Sequence, residues 1–187
     1  MKAPNANIAA VTGETLPVLE RVLGHPGIPD MHQQRYAVQS GGGGLYLAAW
    51  RDGAPVGYVL LHFKHPSHHA SFAHYPEAAY VEALDVPPEH RRRGIAMALM
   101  AAAEREAAMR GAACVGLSVG VDNAPARALY RKRGYRPSDI PDYWVGWTYI
   151  HPDTGKTMDE GETCSFWIKP LTSGSPPAGA EGPGTPP

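Results

Sequence analysis

Arg91-Arg92-Arg93-Gly94-Ile95-Ala96 follows two prolines, Pro87 and Pro88, and leads into an alanine-rich run that reaches Arg110. A segment of this kind exposes the unpaired N–H groups of a helix start, with the helix dipole behind them, and so suits an anionic ligand. Gly94 and Ala96 carry almost no side chain, which lets a diphosphate approach the peptide groups closely. Just upstream, Glu82 interrupts Ala78-Ala79-Tyr80-Val81-Glu82-Ala83-Leu84, an otherwise apolar run. A carboxylate in such a run must be paired, solvated or used, because burying it uncompensated costs several kcal/mol. Glu82 is therefore a candidate general base, with an ammonium anchor and a structural ion pair as the alternatives. Asn123 stands before a third segment, Ala124 to Gly134, as a helix cap.

These residues need elements to hold them. Ile8 to Val11 reads as a strand, and Glu14 to Leu23 carries Leu16, Leu19, Val22 and Leu23 at helical spacing. A weaker helix is predicted from Pro29 to Val38, ending at Gly41 to Gly44. Leu45–Trp50 and Val56–Phe63 form two strands joined by an Asp52-Gly53 turn. A strand then returns over Ala78–Val86, where alternation puts Glu82, Leu84 and Val86 on one face. Pro87 and Pro88 lack N–H groups and stop its pairing. Ile95–Arg110 is the strongest helix, with Ile95, Leu99, Ala102 and Met109 inward and Glu104, Arg105 and Arg110 outward. Strands at Cys114–Val119 and Cys164–Lys169 enclose the short helix after Asn123 and an aromatic, turn-rich section, Tyr143–Glu162. Helices alternating with strands beside an antiparallel hairpin imply an α/β (α+β) fold in three layers, with a mixed sheet.

The expected organisation is one domain over residues 1–171 and a disordered Gly/Pro/Ser-rich tail over 172–187. With 17 basic and 18 acidic residues the chain offers no field for nucleic acid. It has no apolar stretch suited to a membrane span or a secretory signal, so a cytoplasmic location is the default expectation. Cys114 and Cys164 lie far apart without Cys-x-x-Cys spacing, and no metal site is expected.

Arg91 to Ala96 satisfies the pattern [RQ]-x-x-G-x-[GA], and Asn123-Ala124-Pro125-Ala126-Arg127-Ala128-Leu129-Tyr130-Arg131-Lys132-Arg133-Gly134-Tyr135 matches N-x-x-A-x-x-L-Y-x-x-x-G-[FY] at every fixed position. On these two motifs the chain resembles the GNAT superfamily of acyl-CoA-dependent N-acetyltransferases. The resemblance implies a largely antiparallel mixed sheet with helices on both faces and acetyl-CoA as co-substrate. It implies that backbone N–H groups from Arg92 to Ala96 hold the pyrophosphate, with charge from Arg91 or a neighbour. Leu84, Asp85 and Val86 would meet the pantetheine arm along the strand end, and Asn123 and Ala126 would meet it from the other side. Tyr130 falls in the slot of a general acid that protonates the leaving thiolate, and a main-chain N–H of Val86 or Leu84 would stabilise the oxyanion. The expected reaction is direct acetyl transfer to a primary amine of a small molecule or peptide in a ternary complex; the alternative is a catalytically silent acyl-CoA sensor. The acceptor is not identified, and a homodimer is left open.

Two further clusters have plainer readings. His62, His65, His68, His69 and His74 lack metal-ligand spacing and read as an exposed loop bordering the acceptor. Tyr143, Trp144, Trp147 and Tyr149 read as core packing or a dimer contact, with cation–π binding of an amine as the alternative.

Overall fold

Asp52 (φ 50°) and Gly53 (φ 79°) both adopt left-handed backbone, the geometry a two-residue hairpin turn requires. They join β2 (Gly44–Arg51) to β3 (Ala54–His62). The computed structural model describes residues 6–66 and 73–171, so the predicted tail, His68 and His69 lie outside the described residues. Within them β1 (Asn7–Ala10) pairs with β2, and β4 (Ala79–Asp85) pairs antiparallel with β3. β4 then pairs with β5 (Cys114–Gly120) in parallel, and β5 pairs antiparallel with β8 (Thr157–Pro170). The two-residue β6 (Arg136–Pro137) and β7 (Tyr143–Ile150) both pair with β8, completing an eight-stranded mixed sheet.

Helices cover both faces, as expected. Helix α3 (Ile95–Met109) and α4 (Ala124–Arg133) share a core with Val59, Leu61, Val81, Val115, Leu117 and Trp167. On the other face α1 (Leu16–Leu23) and α2 (Met31–Ser40) cover Tyr46, Tyr58 and Leu60. A smaller cluster of Tyr80, Ile140 and Phe166 continues this second face towards β8.

Three sequence expectations are corrected here. Glu104 is buried, not outward: its carboxylate receives Arg133 of α4 and Lys169 of β8, two cations that only the tertiary fold brings to α3. Met109 is 65% exposed, because the last turn of α3 runs beyond the surface it packs on. The section Tyr143–Glu162 is a long hairpin, and β8 begins at Thr157 rather than Cys164. No helix among the described residues is long and apolar enough to cross a membrane.

Candidate active site

β4 does not keep its alternation. Ala83 has φ 55°, and the register steps from Leu60↔Glu82 to Tyr58↔Asp85, so β4 carries one extra residue opposite β3. This β-bulge turns the strand over. Ala83 packs against the core under α1 and α2, whereas Leu84 and Val86 pack against the core under α3. Glu82 therefore does not share a face with Leu84 and Val86, contrary to the period-two expectation. Gly57 permits the close approach this needs, since a Cβ there would lie 2.8 Å from the Asp85 carbonyl oxygen.

The same strand parts from its neighbour. β4 and β5 pair only over Ala79–Val81 and Val115–Leu117. Beyond that point the sheet opens into a cleft of about 590 Å³ on the α3 side. The cleft is lined by Leu84, Asp85 and Val86 from β4, by Arg91, Arg92, Gly94, Ile95 and Ala96 at the entry to α3, and by Asn123, Ala126 and Tyr130 from α4. Both sequence motifs thus meet across one cavity. Glu82 and Arg93 do not line it; His90, Met97 and Lys132, which were not anticipated, do.

The loop entering α3 is built for an anion. A single 3₁₀ turn over Pro88–His90 is followed by left-handed backbone at Arg92 (φ 58°) and Gly94 (φ 80°). The first main-chain bond made by α3 is Ala98 N–H to the Gly94 carbonyl, and among the described residues no main-chain carbonyl accepts from the N–H groups of Arg92 through Met97. Six successive donors therefore remain for a ligand, with Arg92, His90 and Lys132 nearby. Buried donors left unpaired are destabilising, so a diphosphate fits this backbone. Arg91 has a different task from the one anticipated: its Nε donates to the Val86 carbonyl at 2.8 Å and ties the loop to the end of β4.

Tyr130 is buried, its ring edge-on to Tyr135 at 5.8 Å, and burial pushes its phenol up to about 12. It stays protonated at neutral pH and can donate to an anion in the cleft. Asn123 caps α4 as expected, its Oδ1 accepting from Ala126 N–H at 3.1 Å, which leaves only its amide nitrogen for a ligand. Neither residue moves far from its motif role.

Glu82 stands on the opposite side of the sheet. Its Oε2 is hydrogen-bonded to His62 Nε2 at 2.8 Å, with the carboxylate side chain 46% exposed. Beside it Tyr80 and Tyr143 hydroxyls flank Ser118 Oγ at 2.9 and 2.6 Å. His62, Ser118 and Tyr143 were not singled out as partners in the sequence, because only the register of β3, β4, β5 and β8 makes them neighbours. The histidine section is likewise revised. His62 ends β3 and His65 is buried between the rings of Tyr80 and Phe166, so neither lies in an exposed loop, although His74 does sit in an exposed turn. In the aromatic section Trp144 and Trp147 are 66% and 40% exposed, so they are not core residues, whereas Tyr143 packs partly on the Tyr80 cluster.

A mixed sheet opened between its central parallel strands, with an amide-lined loop leading into a helix at the opening, defines an acyltransferase fold. The chain belongs to the acetyltransferase (GNAT) family, whose sequence model matches residues 17–135. It is 32% identical over 94 residues to an uncharacterized N-acetyltransferase of Methanocaldococcus jannaschii, a match covering 50% of this chain and 40% of that protein. The chain thus spans less than half the length of that curated relative. An N-acetyltransferase from Staphylococcus aureus Mu50 has the same fold, with a TM-score of 0.64 at 15% identity over 90% of this chain and 99% of the other. The Sinorhizobium meliloti phosphinothricin acetyltransferase, solved in complex with acetyl-CoA, overlays with a TM-score of 0.62 at 19% identity, covering 95% and 96% of the two chains.

Proposed function

We propose that this protein transfers the acetyl group of acetyl-CoA directly to a primary amine, with both substrates bound together. The observation that carries the reading is the set of six free main-chain donors, Arg92 to Met97, at the mouth of a cleft that also contains the Tyr130 phenol. A helix start contributes about 0.3–2 kcal/mol towards an anion, and charge-assisted hydrogen bonds about 1.5–3 kcal/mol each. A few of these together support micromolar binding, about −8 kcal/mol.

When bound, the thioester supplies an acetyl carbon and a thiolate leaving group. The amine nitrogen bonds to that carbon as the C–S bond breaks, and Tyr130 gives its proton to the departing sulfur. Main-chain N–H groups at the end of β4, from Leu84 or Val86, stabilise the oxygen anion that develops in between. The amine must first lose a proton. For a lysine-like amine near 10.4 this is about 4 kcal/mol of barrier at neutral pH, and Glu82 with His62, on the far side of the opening, receives that proton. The phenol is reprotonated from solvent as products leave.

The test offers purified protein acetyl-CoA and a panel of primary amines and measures free thiol. Amine-dependent release supports transfer. Calorimetric binding of acetyl-CoA with no release for any amine class would instead identify a silent sensor of the coenzyme, and absence of binding at millimolar concentration would reject the cleft itself.

A further inference from the structure

A second cavity, of about 320 Å³, lies where the β7–β8 hairpin meets the loop between α1 and α2. Its walls are Trp147, Tyr149 and Glu160 from the hairpin and His25 and Ile28 from the loop, and its lining holds one carboxylate and neither lysine nor arginine. The register pairs Trp147 with Glu160, so ring and carboxylate share a face. Tyr149 Oη donates to Glu160 Oε1 at 2.8 Å, fixing one oxygen and leaving the other to the cavity. The His25 ring stands edge-on to Tyr149 at 6.3 Å, held by Gly27 N–H donating to its Nδ1 at 3.1 Å. Ile150 N–H donates to the Gly27 carbonyl at 2.7 Å and closes the junction. The walls are therefore set before any ligand arrives. Two aromatic faces beside a carboxylate match a cation.

This cavity is continuous in face with the opening of the sheet. Cys164 pairs with both Gly120 and Tyr143, and the successive pairs Val145↔Glu162 and Trp147↔Glu160 carry the same face along the hairpin. The Glu162 carboxylate lies over Gly120, filling the space a Cβ would occupy. Glu82 faces the opening at one end and Glu160 marks the other, with Glu162 between them. Four residues of β8 separate the Cys164 and Glu160 positions, about 13 Å of strand.

We propose that the cavity at Trp147, Tyr149 and Glu160 binds the distal ammonium group of an elongated polyamine whose near amine reaches the sheet opening. This rests on the transfer reaction proposed above and names its acceptor class. The length of the track selects linear amines with cationic groups about 13 Å apart, and Glu162 meets an interior charge.

The test uses spermine and n-butylamine. Calorimetry should show spermine binding to the full-length protein, weakened at least tenfold by Glu160→Gln and by Trp147→Ala and unchanged by Glu14→Gln, a control on an exposed carboxylate elsewhere. In thiol-release assays kcat/KM should favour spermine over n-butylamine, and that ratio should fall at least tenfold in both cavity variants. Spermine affinity equal to the parent's in Glu160→Gln and Trp147→Ala, or no preference over n-butylamine, overturns the assignment. Spermine binding lost on Glu160→Gln in a protein that takes up no acetyl-CoA would uphold this cavity and reject the transfer reaction, so the two failures are distinct.

Discussion

Tyr130 and Gly94 bear on different quantities, and single substitutions separate them. Tyr130→Phe keeps the ring that packs against Tyr135 and removes only the proton donor. It should lower kcat by about 10²-fold or more while calorimetry finds coenzyme affinity within twofold of the parent. Gly94 occupies left-handed backbone at the head of α3, where any side chain is strained by about 1–2 kcal/mol. Gly94→Glu adds a carboxylate beside the same amides and should abolish coenzyme binding at millimolar concentration. Glu82→Gln should behave as Tyr130→Phe does, with kcat reduced and coenzyme affinity retained, because the carboxylate stands across the sheet from the cleft. The first two residues were legible in sequence because each belongs to a short motif whose geometry is local. The face of Glu82 was not, since it depends on a bulge at Ala83 that is admitted only where Gly57 of the next strand makes room.

Elements succeed or fail in the sequence according to how much of their environment is local. The β2–β3 turn, the Asn123 cap and the Gly134 stop (φ 92°) each act within a few residues, and all were predicted. Helix α3 was predicted too, but its polar face was misassigned at Glu104, whose partners lie 29 and 65 residues away. Glu104→Ala would leave Arg133 and Lys169 unpaired while each is only about a fifth exposed. Denaturant unfolding should register a loss of about 3 kcal/mol, the low end for a broken buried pair because the cations retain some solvent. The β7–β8 hairpin escaped notice because its aromatic residues are spread over both faces, with Trp144 on one and Trp147 on the other, so no single apolar stripe announces a strand. Its docking is equally non-local. A Cβ at Gly27 would lie 2.4 Å from the Ile150 carbonyl oxygen, so Gly27→Ala should accelerate hydrogen exchange at Ile150 N–H by tenfold or more.

Across the whole molecule the most consistent electrostatic feature is a set of buried phenols. Tyr46, Tyr80, Tyr130 and Tyr135 all have proton affinities raised by burial, Tyr130 to about 12. An exposed phenol in the unfolded chain releases its proton near pH 10. The native state therefore holds these protons more tightly, and the associated stability is complete below pH 10 and is lost as pH climbs towards 12 and beyond. Melting temperature followed from pH 8 to 12 should stay level to about 10 and then drop steeply, and Tyr46→Phe should soften that drop. A parent protein whose melting temperature is flat to pH 12 would contradict the burial of these hydroxyls. The sheet carries a different consequence. Because β4 and β5 separate after three residue pairs, the α3 side and the α1–α2 side communicate through a window in the middle of the fold. Two reactants can enter by separate doors and neither exit is obstructed by the other. Spent coenzyme should then compete with fresh acetyl-CoA while leaving the amine's access untouched, an inhibition pattern set by architecture before any side chain is considered.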